Sequence, residues 1–162
     1  MQEALIPAVN IIGKNAFSYC TSLSTIEFGE DVRSIDISAF ASTGISRLDV
    51  NSTNLSAIHS FAFENCYNLT SASFGDTIAK LHIWRGAFDK CSELTGIRIG
   101  KGVDYIYTTN QIAIGQAGFV NIGIFRGCSS LVSVVLPFIG ESPTPYNTAN
   151  NNFGKVFGSY DA

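Results

Sequence analysis

Apolar side chains recur along this chain at fixed offsets from a phenylalanine. Phe17 is followed by Cys20, Leu23, Ile26 and Phe28. Phe63 leads in the same way to Cys66, Leu69, Ala72 and Phe74, and Phe88 to Cys91, Leu94, Ile97 and Ile99. Phe125 leads to Cys128, Leu131, Val134 and Leu136. An alanine precedes the first three of these phenylalanines, and Ile124 precedes the last. A further copy at Ala39-Phe40 is one residue shorter, with Thr43 in place of cysteine and then Ile45, Leu48 and Val50. Five positions before each phenylalanine another apolar residue returns, at Ile12, Ile35, Ile58, Ile83 and Val120.

Two apolar residues two apart, such as Ile26 and Phe28, have the period of a strand with one face buried. Strands of successive copies can stack as a parallel ladder about 4.8 Å apart. A second pair, such as Val32 and Ile35, runs back along the other side of the coil. The Ala-Phe-x-x-Cys segment between them is expected to form a short helical turn, with alanine allowing close approach and phenylalanine filling the interior. One copy cannot bury its own apolar face, whereas a stack of copies builds a continuous core. The phenylalanines stand at 17, 40, 63, 88 and 125, so the intervals are 23, 23, 25 and 37 residues. Three of these fall in the band of about 20–29 residues typical of leucine-rich repeats. The last holds an insertion of about fourteen residues over that period, between Tyr105 and Gly123.

The run Ile12-Gly13-Lys14-Asn15-Ala16-Phe17 through Phe28 closely resembles the BspA-like leucine-rich repeat family, whose hallmark is Ala-Phe-x-x-Cys at this period. The resemblance covers residues from about 5 to 137. It implies a right-handed parallel β-solenoid with short helical turns, carried by large bacterial surface or secreted proteins, some of which adhere to host matrix proteins. Three departures stand out: the shortened copy at Phe40, the insertion before Phe125 and Ile124 in place of alanine. The expected organisation is a single solenoid of about five repeats, with an insertion near 105–123 and a tail over 138–162 that resembles spacers in long family members. Leu5-Ile6-Pro7 resembles the strand end of a preceding repeat, and neither end offers the polar cap a solenoid needs. The chain is therefore expected to be part of a longer protein, with uncapped ends that allow weak homodimerisation.

Composition narrows the function. The 162 residues carry 14% charged side chains, a net charge of −3 and a pI near 5.2. Nucleic-acid binding usually leaves a basic footprint, and none is present. No apolar run reaches the length of about 18 residues that spans a membrane, and the N-terminus lacks the pattern of a signal peptide. The twelve phenylalanines are accounted for by the repeat itself.

Candidate chemistry is sparse. Cys20, Cys66, Cys91 and Cys128 share one repeat position and are expected to form an inward column of structural thiols. Parallel sulfurs disfavour disulfides, and no Cys-x-x-Cys or clustered histidine points to zinc. His59 and His82 sit at different coil positions, which reads as surface histidine rather than a metal or catalytic pair. Gly115-Gln116-Ala117-Gly118 is too short for a dinucleotide fingerprint, so no cofactor is expected. Sequons at Asn51, Asn54 and Asn68 would matter only in a eukaryotic secretory host.

The outward residues of the ladder are the candidate ligand-binding set: Thr25, Glu27, Arg47, Asp49, Ser71, Ser73 and Arg98. Tyr105 and Tyr107 join them as residues in or beside the insertion, which reads equally as a binding loop or a degenerate repeat folded into the stack. The expected function is non-enzymatic: a binding or adhesion module at the bacterial cell surface or outside it. Its partner would be a protein such as host matrix or another surface protein, with no nucleic acid, membrane insertion, metal or cofactor. The rival expectation is a structural spacer that projects another domain.

Overall fold

The computed structural model of the chain describes residues 2–6, 9–50, 54–78, 80–106 and 123–136, with the side chains of 103–105 excepted. Eleven short strands lie within them. The odd-numbered ones are β1 (Glu3–Ile6), β3 (Thr25–Phe28), β5 (Arg47–Val50), β7 (Ser71–Phe74), β9 (Gly96–Ile99) and β11 (Ser133–Val135). The even-numbered ones are β2 (Ile11–Ile12), β4 (Ser34–Ile35), β6 (Ala57–Ile58), β8 (Leu81–Ile83) and β10 (Val103–Ile106). Every strand pair is parallel. Even strands form one five-stranded sheet in the order β10-β8-β6-β4-β2. Odd strands form the opposite side of the coil, as a pair β1-β3 and a sheet β11-β9-β7-β5. This is the parallel β-solenoid expected from the repeat.

The interior follows the repeat columns. Phe17, Phe40, Phe63, Phe88 and Phe125 stack ring on ring, with centroids 5.1, 5.4, 5.3 and 6.1 Å apart in succession. At the strand ends, Phe28 and Phe74 turn their edges to Phe40 and Phe88 at 5.8 and 6.0 Å. Smaller Val50 and Ile99 occupy the same position in the alternate coils. Large and small side chains thus alternate up the stack and fill it without overpacking. Leu23, Ile45, Leu69 and Leu94 close a third column, all fully buried.

The turns correct one expectation: among the described residues no helix forms. Ala16, Ser18 and Cys20 donate their N–H groups three residues back, to the carbonyls of Gly13, Asn15 and Phe17. Between them, Asn15, Phe17 and Tyr19 donate to Ile37, Ala39 and Ala41 of the next coil. Residues two before and two after the phenylalanine hold left-handed backbone: φ is 58° at Asn15, 61° at Tyr19, 54° at Ser38, 58° at Ser42, 60° at Phe61 and 57° at Asn65. A left-handed residue at every fourth position prevents the run of i to i−4 bonds that defines an α-helix. It also turns alternate N–H groups outward, where the adjacent coil satisfies them.

The coil after the insertion keeps the register, with Val134 opposite Ile97 and Phe125 on the phenylalanine column. Most of the insertion (107–122) and the tail (138–162) lie outside the described residues.

Candidate functional site

The odd-strand ladder is not continuous. Thr25 and Glu27 project from β3, and Arg47 and Asp49 from β5, yet no pairing joins these two strands. The next interface is regular, with Arg47 opposite Ser71 and Asp49 opposite Ser73. The break coincides with the shortened second copy. Gly44 brings the chain so close to the first coil that a Cβ there would lie 2.2 Å from the Thr21 carbonyl oxygen and 3.2 Å from that of Leu23. Ser46 N–H still reaches the Ser24 carbonyl at 3.3 Å, and beyond it the strands part.

A cleft of about 490 Å³ opens between them. Thr25, Glu27, Glu30, Arg47 and Asp49 supply its polar lining and Ile26 and Phe28 its apolar part. Arg47 Nε donates to Asp49 Oδ2 at 2.6 Å on the same strand. Four residues expected to bind ligand therefore share one cleft, and Glu30 joins them unforeseen. The signal for it was the missing residue in the second copy.

The other expected residues are placed differently. Ser71 and Ser73 are half-buried on the flat part of the ladder. Arg98 is engaged within the fold: its guanidinium donates to Asp76 Oδ2 at 2.6 Å and to the Phe74 carbonyl at 3.4 Å. That hydrogen bond, with another from the Lys101 N–H, holds the Asp76 carboxyl below its ordinary pKa. Tyr105 belongs to β10 in the opposite sheet, beside His82, and so does not share a face with the ladder residues. Tyr107 lies outside the described residues.

The two histidines converge, although their offsets within the repeat differ. Ala57 pairs with His82 and Ile58 with Ile83, which sets His59 beside Trp84. The rings of His59 and Trp84 stack at 4.5 Å, and His82 lies 5.7 Å from the same indole. Arg85 sits 5.1 Å over the Phe61 ring nearby. Offsets of −6 and −4 fall on one strand and its continuation, so adjacent coils bring them together.

All four cysteines are free. Cys66, Cys91 and Cys128 each donate to a phenylalanine carbonyl of the preceding coil (Phe40, Phe63 and Phe88) at 3.1–3.2 Å. Thr43 Oγ1, at the cysteine position of the shortened copy, donates at 2.9 Å to the same Phe40 carbonyl, which belongs to its own coil. Hydrogen bonding with the Cys128 and Cys66 thiols on either side, and then burial, pushes the Cys91 thiol well above its ordinary pKa. A thiol so held is a poor nucleophile. Among the described residues no three His, Cys, Asp or Glu side chains gather to hold a metal.

Parallel strands on two sides of a coil of about 23 residues, closed by an aromatic column, define a leucine-rich repeat solenoid. The family model for the BspA type leucine rich repeat region, in six copies, matches residues 1–112. The chain belongs to that family. A crystal structure of the Treponema pallidum leucine-rich repeat protein is similar at 26% identity with a TM-score of 0.65, over 83% of this chain and 56% of that one. The chain thus spans about half the length of that relative. A leucine-rich cell surface protein from Faecalibacterium prausnitzii is similar at 18% identity and a TM-score of 0.35, over 81% of this chain and 46% of that one. A leucine-rich repeat protein from Bacteroides ovatus is similar at 16% and 0.36, over 82% of this chain and 54% of that one. No curated protein sequence matches the chain.

Proposed function

We propose that this chain is a non-enzymatic binding module of a bacterial cell-surface or secreted protein, and that it presents the odd-strand face to a protein ligand. One observation carries the proposal: Thr25, Glu27, Arg47 and Asp49 line a single cleft at a break in an otherwise regular ladder. A spacer has no use for such a break, because unpaired facing strands forgo backbone hydrogen bonds that the other coils make. Membership of a family of repeat scaffolds supports a binding role over a catalytic one. Host matrix components and other surface proteins are the ligands to try first.

The test is a solid-phase array of matrix and mucin components probed with the full chain. The triple variant Glu27→Ala, Arg47→Ala, Asp49→Ala serves as comparison. Binding by the wild type that the variant loses is the expected result. A well-folded wild type that binds nothing on the array leaves the spacer as the function, and a variant that binds as well as wild type removes this cleft as the binding site.

A further inference from the structure

The cleft between β3 and β5 also indicates what kind of group it takes. We propose that it accepts one basic side chain, lysine or arginine, projecting from an extended segment of a protein partner. This rests on the odd-strand face being the binding surface and names the chemistry recognised there.

Charge is the first reason. Glu27, Glu30 and Asp49 face the cleft against a single cation, Arg47. Arg47 is already matched by Asp49. The Glu27 carboxylate is exposed on β3 and makes no ion pair or hydrogen bond within the described residues. A positive group entering the cleft would find in Glu27 an acceptor with no competing donor to displace, whereas an anion would meet that uncompensated carboxylate.

The apolar lining is the second reason. Buried Ile26 and half-buried Phe28 line the same cleft and supply its apolar surface. Lysine and arginine lay a hydrocarbon stem along such a surface while the charged head stays among polar groups. A small metal ion or free ammonium would use the carboxylates and leave the apolar lining idle. The third reason is the parting of the strands. The facing edges of β3 and β5 share no ladder, so backbone groups along them are not taken up by pairing between the two strands. At about 490 Å³ the cleft suits one long side chain rather than a folded domain.

The experiment is a titration of the isotopically labelled full chain, followed through its amide resonances. The probes are blocked pentapeptides Ser-Val-X-Val-Ser with lysine, arginine, glutamine or glutamate at X. Lysine and arginine peptides are expected to shift amides of residues 24–30 and 46–50 and to bind about tenfold more tightly than the glutamine peptide, as a charge-assisted contact warrants. The glutamate peptide should not bind. The variant Glu27→Gln with Glu30→Gln alters only exposed side chains, and its unchanged spectrum elsewhere certifies the fold. It should lose most of the preference for lysine and arginine. Equal binding of all four peptides, shifts elsewhere on the chain, or an undiminished preference in the variant overturns the proposal. Spermidine binding as tightly as the peptides overturns it too, since diffuse charge would then suffice. The two proposals fail separately. A matrix component bound equally by wild type and by the double variant keeps the binding module and removes the basic-group cleft; peptide binding with a silent array does the reverse.

Discussion

Arg126 reaches across the insertion to Asp89, 37 positions earlier, and grips its carboxylate with two donors. Nε donates to Oδ1 at 2.9 Å, and a terminal nitrogen donates to Oδ2. Asp89 is fully buried, so its charge depends on that guanidinium. Replacing Arg126 by methionine strands a buried carboxylate and should cost roughly 3 kcal/mol, less than a fully dry pair because Arg126 keeps some exposure. The double variant Arg126→Met, Asp89→Asn should recover much of the loss. Chemical denaturation of both variants checks this; a single variant as stable as wild type would show that the pair is idle.

Glu64 stands beside Asp89, and its acid is raised above the ordinary 4.5 by burial first and by the Asp89 carboxylate second. A carboxyl with a raised folded pKa holds its proton more tightly folded than unfolded. Its contribution is therefore full below the unfolded value and is lost as pH rises through the folded one. Glu64→Gln should raise stability at neutral pH and change nothing near pH 4. Thermal midpoints at the two pH values give the answer, and a variant that gains equally at both refutes the assignment.

The cysteine column should respond unequally to alkylation. Cys66 and Cys91 are buried, while Cys20 and Cys128 are partly exposed. Native-state labelling should modify Cys20 and Cys128 first and reach the other two only through opening of the coils, at rates lower by roughly a hundredfold or more. The high Cys91 pKa adds to its protection. Peptide mapping after timed labelling reads the order directly.

Tyr19 is 78% exposed and holds φ at 61°, a conformation that costs a bulky residue about 1 kcal/mol. Tyr19→Gly should relieve that cost and leave the molecule as stable as wild type or slightly more so, despite glycine's greater freedom when unfolded. Tyr19→Val, β-branched and poorly suited to that region, should destabilise instead. A glycine variant less stable than the valine one contradicts the left-handed turn.

Gly44→Ala tests the origin of the cleft. Its Cβ would meet a backbone oxygen at 2.2 Å, and backbone cannot swing aside as a side chain can. The first two coils must separate, at about 2 kcal/mol or more. Amide shifts should appear at residues 21–28 and 44–50 and stay small beyond β7. Unperturbed resonances there would mean that Gly44 does not set the coil spacing.

Much of this fold was legible in the sequence because residues such as Phe40, Ile45 and Leu48 do the same work in every coil. A position used five times declares its burial by repetition. The turn conformation did not declare itself. Left-handed backbone is announced by Asn15 or Asn65, yet Tyr19, Phe61 and Lys90 adopt it too, and their side chains carry no such hint. The cleft was half visible. The missing residue after Phe40 could be counted, but its effect depended on how near Gly44 comes to the Thr21 carbonyl. The meeting of His59 and His82 at Trp84 was hidden because offsets within one copy do not give the register between copies. Arg98 looked like a free surface cation until Asp76, 22 positions away, was seen to hold it.

The split between β3 and β5 also divides the mechanical load. On the even-strand side the first two coils remain joined, with Ile11 opposite Ser34 and Ile12 opposite Ile35, and the Phe17 and Phe40 rings stay stacked. On the odd-strand side nothing comparable ties β3 to β5. The first coil is thus fastened, as a page is to its binding, along the even strands and the turn, and left open along the odd strands. A pull along the solenoid axis would meet least resistance on the odd-strand side of that coil, so the joint proposed to admit a ligand is also the one where tension would first be felt.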